Sequence, residues 1–259
     1  MTPATRITTA AAAGPRRPAS LATHHHLLLI FVLLTTLTGL GIPRAHAAPF
    51  TWPTVGDVAP PPECTIATDA ALSSVLDASS RDTWPHLRKA AVQYGLCTPA
   101  RLAVYLATMS HETAGLTVLY QPKTGGRGAI MMVPANWHYA FVGLGDSSLA
   151  SRLDGDLERT DQVAADAMMD PTVTFRVAAW WFRGGAATVG MKAKSDSDAC
   201  NDLAVVADAL PADFDANEGK AHSVLATINE CVAGNGDADP GFAQRVALTN
   251  KAMRAIQGK

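Results

Sequence analysis

Apolar residues recur every three or four positions in several stretches of this 259-residue chain, which indicates a mainly helical protein. The clearest stretch predicts a helix over 98–113, because Thr98 suits the N-cap and Pro99 suits the first helical position. Four apolar side chains then share one face: Leu102, Tyr105, Leu106 and Met109. This helix ends in the residues His111-Glu112-Thr113.

The same periodicity predicts further helices, over 68–79, 82–94, 174–183, 219–229 and 239–257. In the segments between these helices, the apolar residues show no clear periodicity. We expect short strands or loops near 116–120 and 130–133, a weakly helical polar stretch over 150–169, and a long surface excursion over 186–219. The predicted fold class is therefore mainly α, with a small irregular or β portion flanking a substrate cleft.

The first 47 residues have the pattern of a signal peptide. Arginines precede a continuous apolar run over 27–34, and Ala45-His46-Ala47 fits the small-x-small pattern of a cleavage site. Cleavage would start the mature chain near Ala48 and make the protein secreted and extracellular. An uncleaved signal anchor is the alternative, although the run is short for a membrane span.

The mature chain is predicted to contain one domain. Segment 48–63 is rich in proline and predicts an extended lead-in, which leaves 64–259 as a domain with a full core. Without the leader the chain has 17 basic and 23 acidic residues, a net charge of −6. This charge argues against nucleic acid or an anionic membrane as the main partner. We expect a monomer with no stable membrane association after leader removal.

Four cysteines remain in the mature chain, and an even number in an exported protein indicates two disulfides, with three possible connectivities. We favour Cys64–Cys97 and Cys200–Cys231, because each pair brackets one segment. A zinc site is the alternative, but the chain has no Cys-x-x-Cys spacing.

Glu112 is the leading catalytic candidate. It lies three residues after Met109 and so falls on the apolar face of the predicted helix, where an ionised carboxylate is costly to bury. Such a carboxyl group suits a general acid, while the alternative is a helix-end carboxylate that is merely paired with an arginine. A zinc-protease pattern is excluded because position 115 is glycine, and no Gly-x-Ser-x-Gly esterase motif occurs.

A second candidate site is the cluster Asn136-Trp137-His138-Tyr139, which combines flat aromatic faces with hydrogen-bonding groups. Sugar rings need this combination, because their C–H faces stack on aromatic rings while their hydroxyls take polar partners. The alternative is that Trp137 and Tyr139 are core residues.

Segments 106–115 (LATMSHETAG) and 126–130 (GRGAI) resemble the active-site segments of family 19 glycoside hydrolases, the plant-class chitinases and their bacterial and phage relatives. Three further segments follow in the family's order. Residues 175–182 are similar to its aromatic-rich helix, 226–229 to its Ile-Asn substrate-binding segment, and Arg245-Val246 to an arginine near its cleft. The resemblance covers roughly 82–257.

This resemblance implies a lysozyme-like α+β fold and hydrolysis of β-1,4-linked N-acetylglucosamine polymers such as chitin, with inversion and without metal or organic cofactor. It gives Glu112 the general-acid role. His111, Thr113 and Arg127 are expected to shape the site, and Asn229 and Arg245 to hold the substrate or orient the carboxylates. Asn136, Trp137 and Tyr139 are expected to contribute to the sugar-binding cleft.

The chain departs from the family where water is activated. An inverting enzyme needs a second carboxylate, which the family places between its two active-site segments, yet residues 114–126 contain no Asp or Glu. Met131, Met132 and Val133 also replace the family's water-positioning residues. The candidate bases elsewhere are Asp146, Asp196, Asp198 and Glu230.

Three interpretations follow from these departures. The protein is a chitinase whose base comes from elsewhere, a lysozyme or lytic-transglycosylase type enzyme that acts on peptidoglycan with one Glu, or a glycan-binding protein that has lost catalysis.

Overall fold

Helices make up most of the regular structure in the described residues, which are 63–154, 161–194 and 196–259 of a computed structural model. The predicted leader, 1–47, and almost all of the proline-rich lead-in lie outside these residues, which all belong to the unit Asp57–Lys259. None of the helices in the described ranges has the length and apolar character needed to cross a membrane.

The helices are α1 (Asp69–Val75), α2 (Trp84–Gln93), α3 (Pro99–Thr113), α4 (Trp137–Gly143), α5 (Ser147–Ser151), α6 (Gln162–Ala167), α7 (Pro171–Trp180), α8 (Ala186–Thr188), α9 (Leu203–Ala207), α10 (Glu218–Ala233) and α11 (Phe242–Ile256). Two short strands, β1 (Tyr120–Gln121) and β2 (Gly126–Arg127), pair antiparallel. The mainly α fold class is therefore confirmed.

Helix α3 is the central element of the core, and its predicted bounds are confirmed. The Thr98 side chain accepts a hydrogen bond from the Arg101 N–H, as expected of an N-cap. Every residue from Leu102 to Ser110 is buried, so the helix is enclosed on all sides. It packs chiefly along α11, and the Tyr105 hydroxyl donates to the Phe175 carbonyl of α7 at 2.8 Å.

Several predicted elements differ from the observed ones in the second half of the chain. The expected surface excursion over 186–219 is wrong, because Leu203, Ala207 and Phe214 from this segment are buried in the core. Helix α4 lies in a segment that shows no clear period. Segment 150–169 contains α6 and the end of α5 on either side of residues that are not described.

Strand β1 begins at Tyr120, within the stretch predicted near 116–120, whereas β2 lies in the glycine-rich segment before the stretch predicted near 130–133. Tyr120 pairs with Arg127, and Arg127 forms a further bridge with Met132. The last helix begins at Phe242, three residues after the predicted start, because the Asp239 side chain accepts a hydrogen bond from the Gly241 N–H outside the helix.

Both predicted disulfides are confirmed. Cys64 pairs with Cys97 and Cys200 with Cys231, at Cα–Cα distances of 5.5 and 5.4 Å. The zinc alternative is wrong for these cysteines because every one of their sulfurs is in a disulfide. The second bridge fastens the turn before α9 to α10.

The indole of Trp180 lies between two glycines that leave no room for side chains. A Cβ atom on Gly143 would lie 2.1 Å from Trp180 Nε1, and one on Gly185 would lie 2.6 Å from its Cε3. Gly185 belongs to a wide helical turn, Trp181–Gly185, that continues from α7. Trp180 therefore packs against α4 at Gly143 and against the end of this turn at Gly185.

We expect Gly143→Ala to lower the free energy of unfolding by about 1–3 kcal/mol, because the added methyl group overpacks the Trp180 contact. The matched control is Gly219→Ala in α10, where a Cβ meets nothing within 4 Å. This control should stay within about 1 kcal/mol of wild type or gain stability from the better helix former. Urea denaturation measures both, and equal effects would contradict the steric explanation.

Candidate active site

The chain turns sharply just after Glu112. Ala114, Gly115 and Leu116 follow α3 with φ values of 49°, 75° and 73°, a conformation that is unfavourable for the two residues with side chains. Thr113 holds this reversal, since its hydroxyl donates to the Met109 carbonyl at 2.6 Å and accepts from the Leu116 N–H at 2.8 Å.

Thr113 is fully buried and its hydroxyl is engaged within the helix end. This burial leaves Thr113 the expected role of shaping the site, without a substrate contact of its own. Its observed role is to fix the backbone on which the neighbouring Glu112 side chain stands.

Glu112 forms an ion pair with Arg245 across the contact between α3 and α11. Arg245 Nη2 donates to Glu112 Oε1 at 2.5 Å. The Arg245 side chain is 11% exposed and that of Glu112 is 21% exposed. Arg245 of α11 is thus nearly buried, whereas solvent can still reach the Glu112 carboxylate at the end of α3.

Asp239 is a second carboxylate at the same guanidinium. Its Oδ2 lies 3.7 Å from Arg245 Nε and accepts from Asn229 Nδ2 at 3.1 Å, while its Oδ1 accepts from the Gly241 N–H at 2.9 Å. Burial by itself would raise the pKa of Asp239, but the hydrogen bonds from Gly241 and Asn229 and the charge of Arg245 outweigh it and lower this pKa.

The sequence interpretation missed Asp239 as a site residue because Asp-Pro is an ordinary helix start. The available signal was its position between Asn229 and Arg245, the two residues that the family resemblance had placed near the cleft. Spacing alone does not distinguish it from Asp237, whose carboxylate lies 3.5 Å from His222 Nε2.

Asn229 is 2% exposed, which agrees with the expected role of orienting a carboxylate and not with the alternative of holding a substrate. Its Nδ2 donates to the Gly236 carbonyl at 2.6 Å as well as to Asp239. Asn229 therefore positions Asp239 from behind and fastens the loop that precedes α11.

His111 borders the same group of residues. Its ring packs so closely on Gly241 that a Cβ atom there would lie 2.5 Å from His111 Cε1. Its Nδ1 is buried and has no hydrogen-bond partner among the described residues. Burial and the charge of Arg245 lower the pKa of His111, against the opposing effect of Glu112 and Asp239, so the ring is neutral at pH 7.

The remaining predicted site residues lie in another group. Trp137 is fully buried and its Nε1 donates to the Met132 carbonyl at 2.8 Å, so the expected sugar contact is wrong and the core alternative holds. Tyr139 and Asn136 are partly exposed. The Arg127 guanidinium stacks 4.4 Å from the ring centroid of the exposed Tyr120.

No hydrogen bond or ion pair between described residues connects Arg127, Asn136, Trp137 or Tyr139 to Glu112. The structure therefore brings together five residues through direct contacts: His111, Glu112, Asn229, Asp239 and Arg245.

The four candidate bases are placed elsewhere by their own contacts. Asp146 accepts from the Leu149 N–H at the start of α5, and Asp196 accepts from the Asp198 N–H in a turn. Asp198 lies 3.5 Å from Asn201 Nδ2, and Glu230 accepts from the Lys194 N–H at 2.8 Å. Asp239 is the second carboxylate that the structure places beside Arg245.

The lowered pKa of His111 predicts a loss of stability on acidification. The unfolded chain takes up this proton near pH 6.5 and the folded protein only at lower pH, so the stability that His111 contributes is present above pH 6.5 and falls below it. We expect His111→Gln to flatten the decline in unfolding free energy from about pH 7 to pH 5. Denaturant titrations across this range test it, and an unchanged slope in the variant would contradict the explanation.

No protein-family model, no curated protein and no solved structure matches this chain.

Proposed function

We propose that this protein is a secreted glycoside hydrolase with a lysozyme-like fold that cleaves β-1,4-linked N-acetylglucosamine polymers such as chitin, with Glu112 as the general acid. One observation carries the proposal. The partly exposed Glu112 carboxylate shares the Arg245 guanidinium with a second carboxylate, Asp239. The family resemblance of segments 106–115 and 126–130 supports the same reaction class.

The exposure of Glu112 fits a group that must reach a substrate oxygen. Arg245 engages Oε1, and no hydrogen bond between described residues occupies Oε2. Oε2 is therefore the atom from which a proton can pass to the glycosidic oxygen. The bond from that oxygen to the anomeric carbon breaks as the leaving sugar takes the proton, while a water molecule bonds to the anomeric carbon and gives up one proton to a base.

Arg245 supplies a means of releasing Glu112. A guanidinium carries five N–H donors in a fixed plane and can hold two carboxylates at once. A small rotation would close the 3.7 Å gap between Nε and Asp239 Oδ2 and lengthen the hydrogen bond to Glu112. Glu112 would then be free to take up the proton that it donates.

A second candidate function follows from the hydrogen bonds of Asp239. Hydrogen bonds from Gly241 and Asn229 and the charge of Arg245 lower the pKa of Asp239 despite its burial, which makes this carboxylate a weak base toward water. This favours the single-carboxylate alternative, in which a hydroxyl of peptidoglycan itself attacks the anomeric carbon and an anhydro-sugar end is formed. The proton of that hydroxyl passes to the Glu112 carboxylate, which is ionised after it has protonated the leaving oxygen. A hydrated end instead indicates hydrolysis.

Glu112→Gln should reduce cleavage at least about 100-fold, because an amide cannot donate the required proton. The assay uses protein recovered from expression of the full chain, with N-acetylglucosamine oligomers and peptidoglycan as substrates. Mass spectrometry of the products distinguishes hydrated from anhydro ends. Glu63→Gln, at an exposed site, is the matched control and should retain wild-type turnover.

Unchanged cleavage by Glu112→Gln would show that Glu112 is not the general acid. Chitin binding by wild type without cleavage of either substrate would leave only the glycan-binding interpretation.

Asp239→Asn should slow cleavage by about tenfold or more and shift the pH–rate profile, because Arg245 then has only Glu112 as an anionic partner. Asp237→Asn is the control, since that exposed carboxylate faces His222 and not Arg245. Circular dichroism establishes that both variants are folded. Equal rates and pH profiles in the two variants would show that Asp239 does not act through Arg245.

A further inference from the structure

The guanidinium of Arg127 has no carboxylate or other oxygen acceptor among the described residues. Its face stacks on the Tyr120 ring, 4.4 Å from the centroid, and its Nη1 donates to the Met169 sulfur at 3.6 Å. A thioether sulfur is a weak acceptor. Most other arginines in the described ranges pair with a carboxylate: Arg88, Arg101, Arg152, Arg183, Arg245 and Arg254.

The backbones on the two sides of this sulfur contact are packed directly together. A Cβ atom on Gly128 would lie 2.5 Å from the Met168 carbonyl oxygen. The Ala129 N–H donates to the Thr174 hydroxyl of α7 at 2.6 Å. Strand β2 and the turn between α6 and α7 are therefore held against each other by contacts that do not involve the sulfur.

Met169 is half-buried, so a small oxidant can reach it. The same exposure is found at Met131 and Met191, but no hydrogen bond joins either sulfur to an arginine in the part of the chain that the structure describes. The buried methionines are Met109, Met132, Met168 and Met253.

We propose that Met169 is an oxidation site, at which hydrogen peroxide converts the thioether to a sulfoxide whose oxygen accepts a hydrogen bond from Arg127. The modified side chain fastens β2 to the turn between α6 and α7. This inference does not depend on the proposed glycoside hydrolase activity.

The step transfers one oxygen atom. A lone pair of the Met169 sulfur attacks one peroxide oxygen, so that the sulfur–oxygen bond forms while the oxygen–oxygen bond breaks. Sulfur loses two electrons, and the other peroxide oxygen takes the proton of the transferred oxygen and leaves as water. The oxygen left on sulfur carries partial negative charge, which the Arg127 N–H stabilises.

The geometry of the contact suits the sulfoxide. A sulfur–oxygen bond is much shorter than the 3.6 Å between the Met169 sulfur and Arg127 Nη1, and it can meet that line at an angle. The oxygen then lies about 2.8 Å from Nη1 with both side chains in place. The guanidinium uses its face on Tyr120, so its edge stays available. Oxidation here strengthens a contact, whereas methionine oxidation in a core disrupts packing.

The test treats full-chain protein that carries Met131→Leu and Met191→Leu with hydrogen peroxide, and peptide mass spectrometry locates the added oxygen. We expect the Met169 sulfoxide to raise the melting temperature by about 2–4 °C, the effect of one added hydrogen bond in a chain of this size. Adding Arg127→Leu should turn this rise into a fall, because the sulfoxide then has no charged donor. Adding Arg81→Leu, which removes another arginine stacked on an aromatic ring, should preserve the rise.

A second measurement needs no peroxide. The side-chain oxygen of a glutamine can accept from the same donor, so Met169→Gln should melt at a higher temperature than Met169→Leu when Arg127 is present. This comparison holds even if Arg127→Leu does not fold.

Three outcomes would overturn the proposal. Met169 could stay unmodified at a peroxide dose that oxidises Met191 in the wild type. Oxidation could shift the melting temperature equally with and without Arg127. Met169→Gln could melt no higher than Met169→Leu.

Discussion

The ion pair between Glu112 and Arg245 is the interaction on which the candidate site depends. Both side chains are mostly buried, so each charge needs the other to offset the loss of water. The partners lie 133 positions apart in the sequence, and only the packing of α11 along α3 brings them together. The site therefore forms only when the core forms, and a change in either helix alters this ion pair directly.

Three supporting contacts keep this pair in place. Thr113 fixes the turn after α3, Asn229 holds Asp239, and Asp239 binds the N–H of Gly241 just before α11. Gly241 in turn leaves space for the ring of His111. Thr113 and Asn229 are thus buried supports of Glu112 and Asp239, the two carboxylates at Arg245. Buried hydrogen-bonded side chains restrict the rotamers of their neighbours, which is what a catalytic carboxylate requires.

Sequence reasoning identified some of the site residues but did not separate those that can contact a ligand from those that support them. Motif resemblance pointed to Asn229 and Arg245 without saying which one contacts a ligand, because burial depends on distant packing. The sequence also placed Trp137 and Tyr139 at the site, because aromatic and polar groups cluster in that segment. The structure instead places the Trp137 ring in the core, since its indole N–H has a backbone acceptor there. The sequence predicts a helix that starts at Asp239, because an aspartate before proline is typical of a helix start.

The sequence by itself determined the local features: the bounds of α3, the mainly helical class and both disulfide pairs. These depend on periodicity, capping residues and cysteine spacing, which are properties of neighbouring residues or of simple order along the chain. Only the tertiary structure decided that Asp239, and not one of the four earlier candidates, meets Arg245. It also decided that 203–214 packs inward and that Gly143 must leave space for Trp180. These are contacts between distant segments, and their geometry is set by how helices pack together.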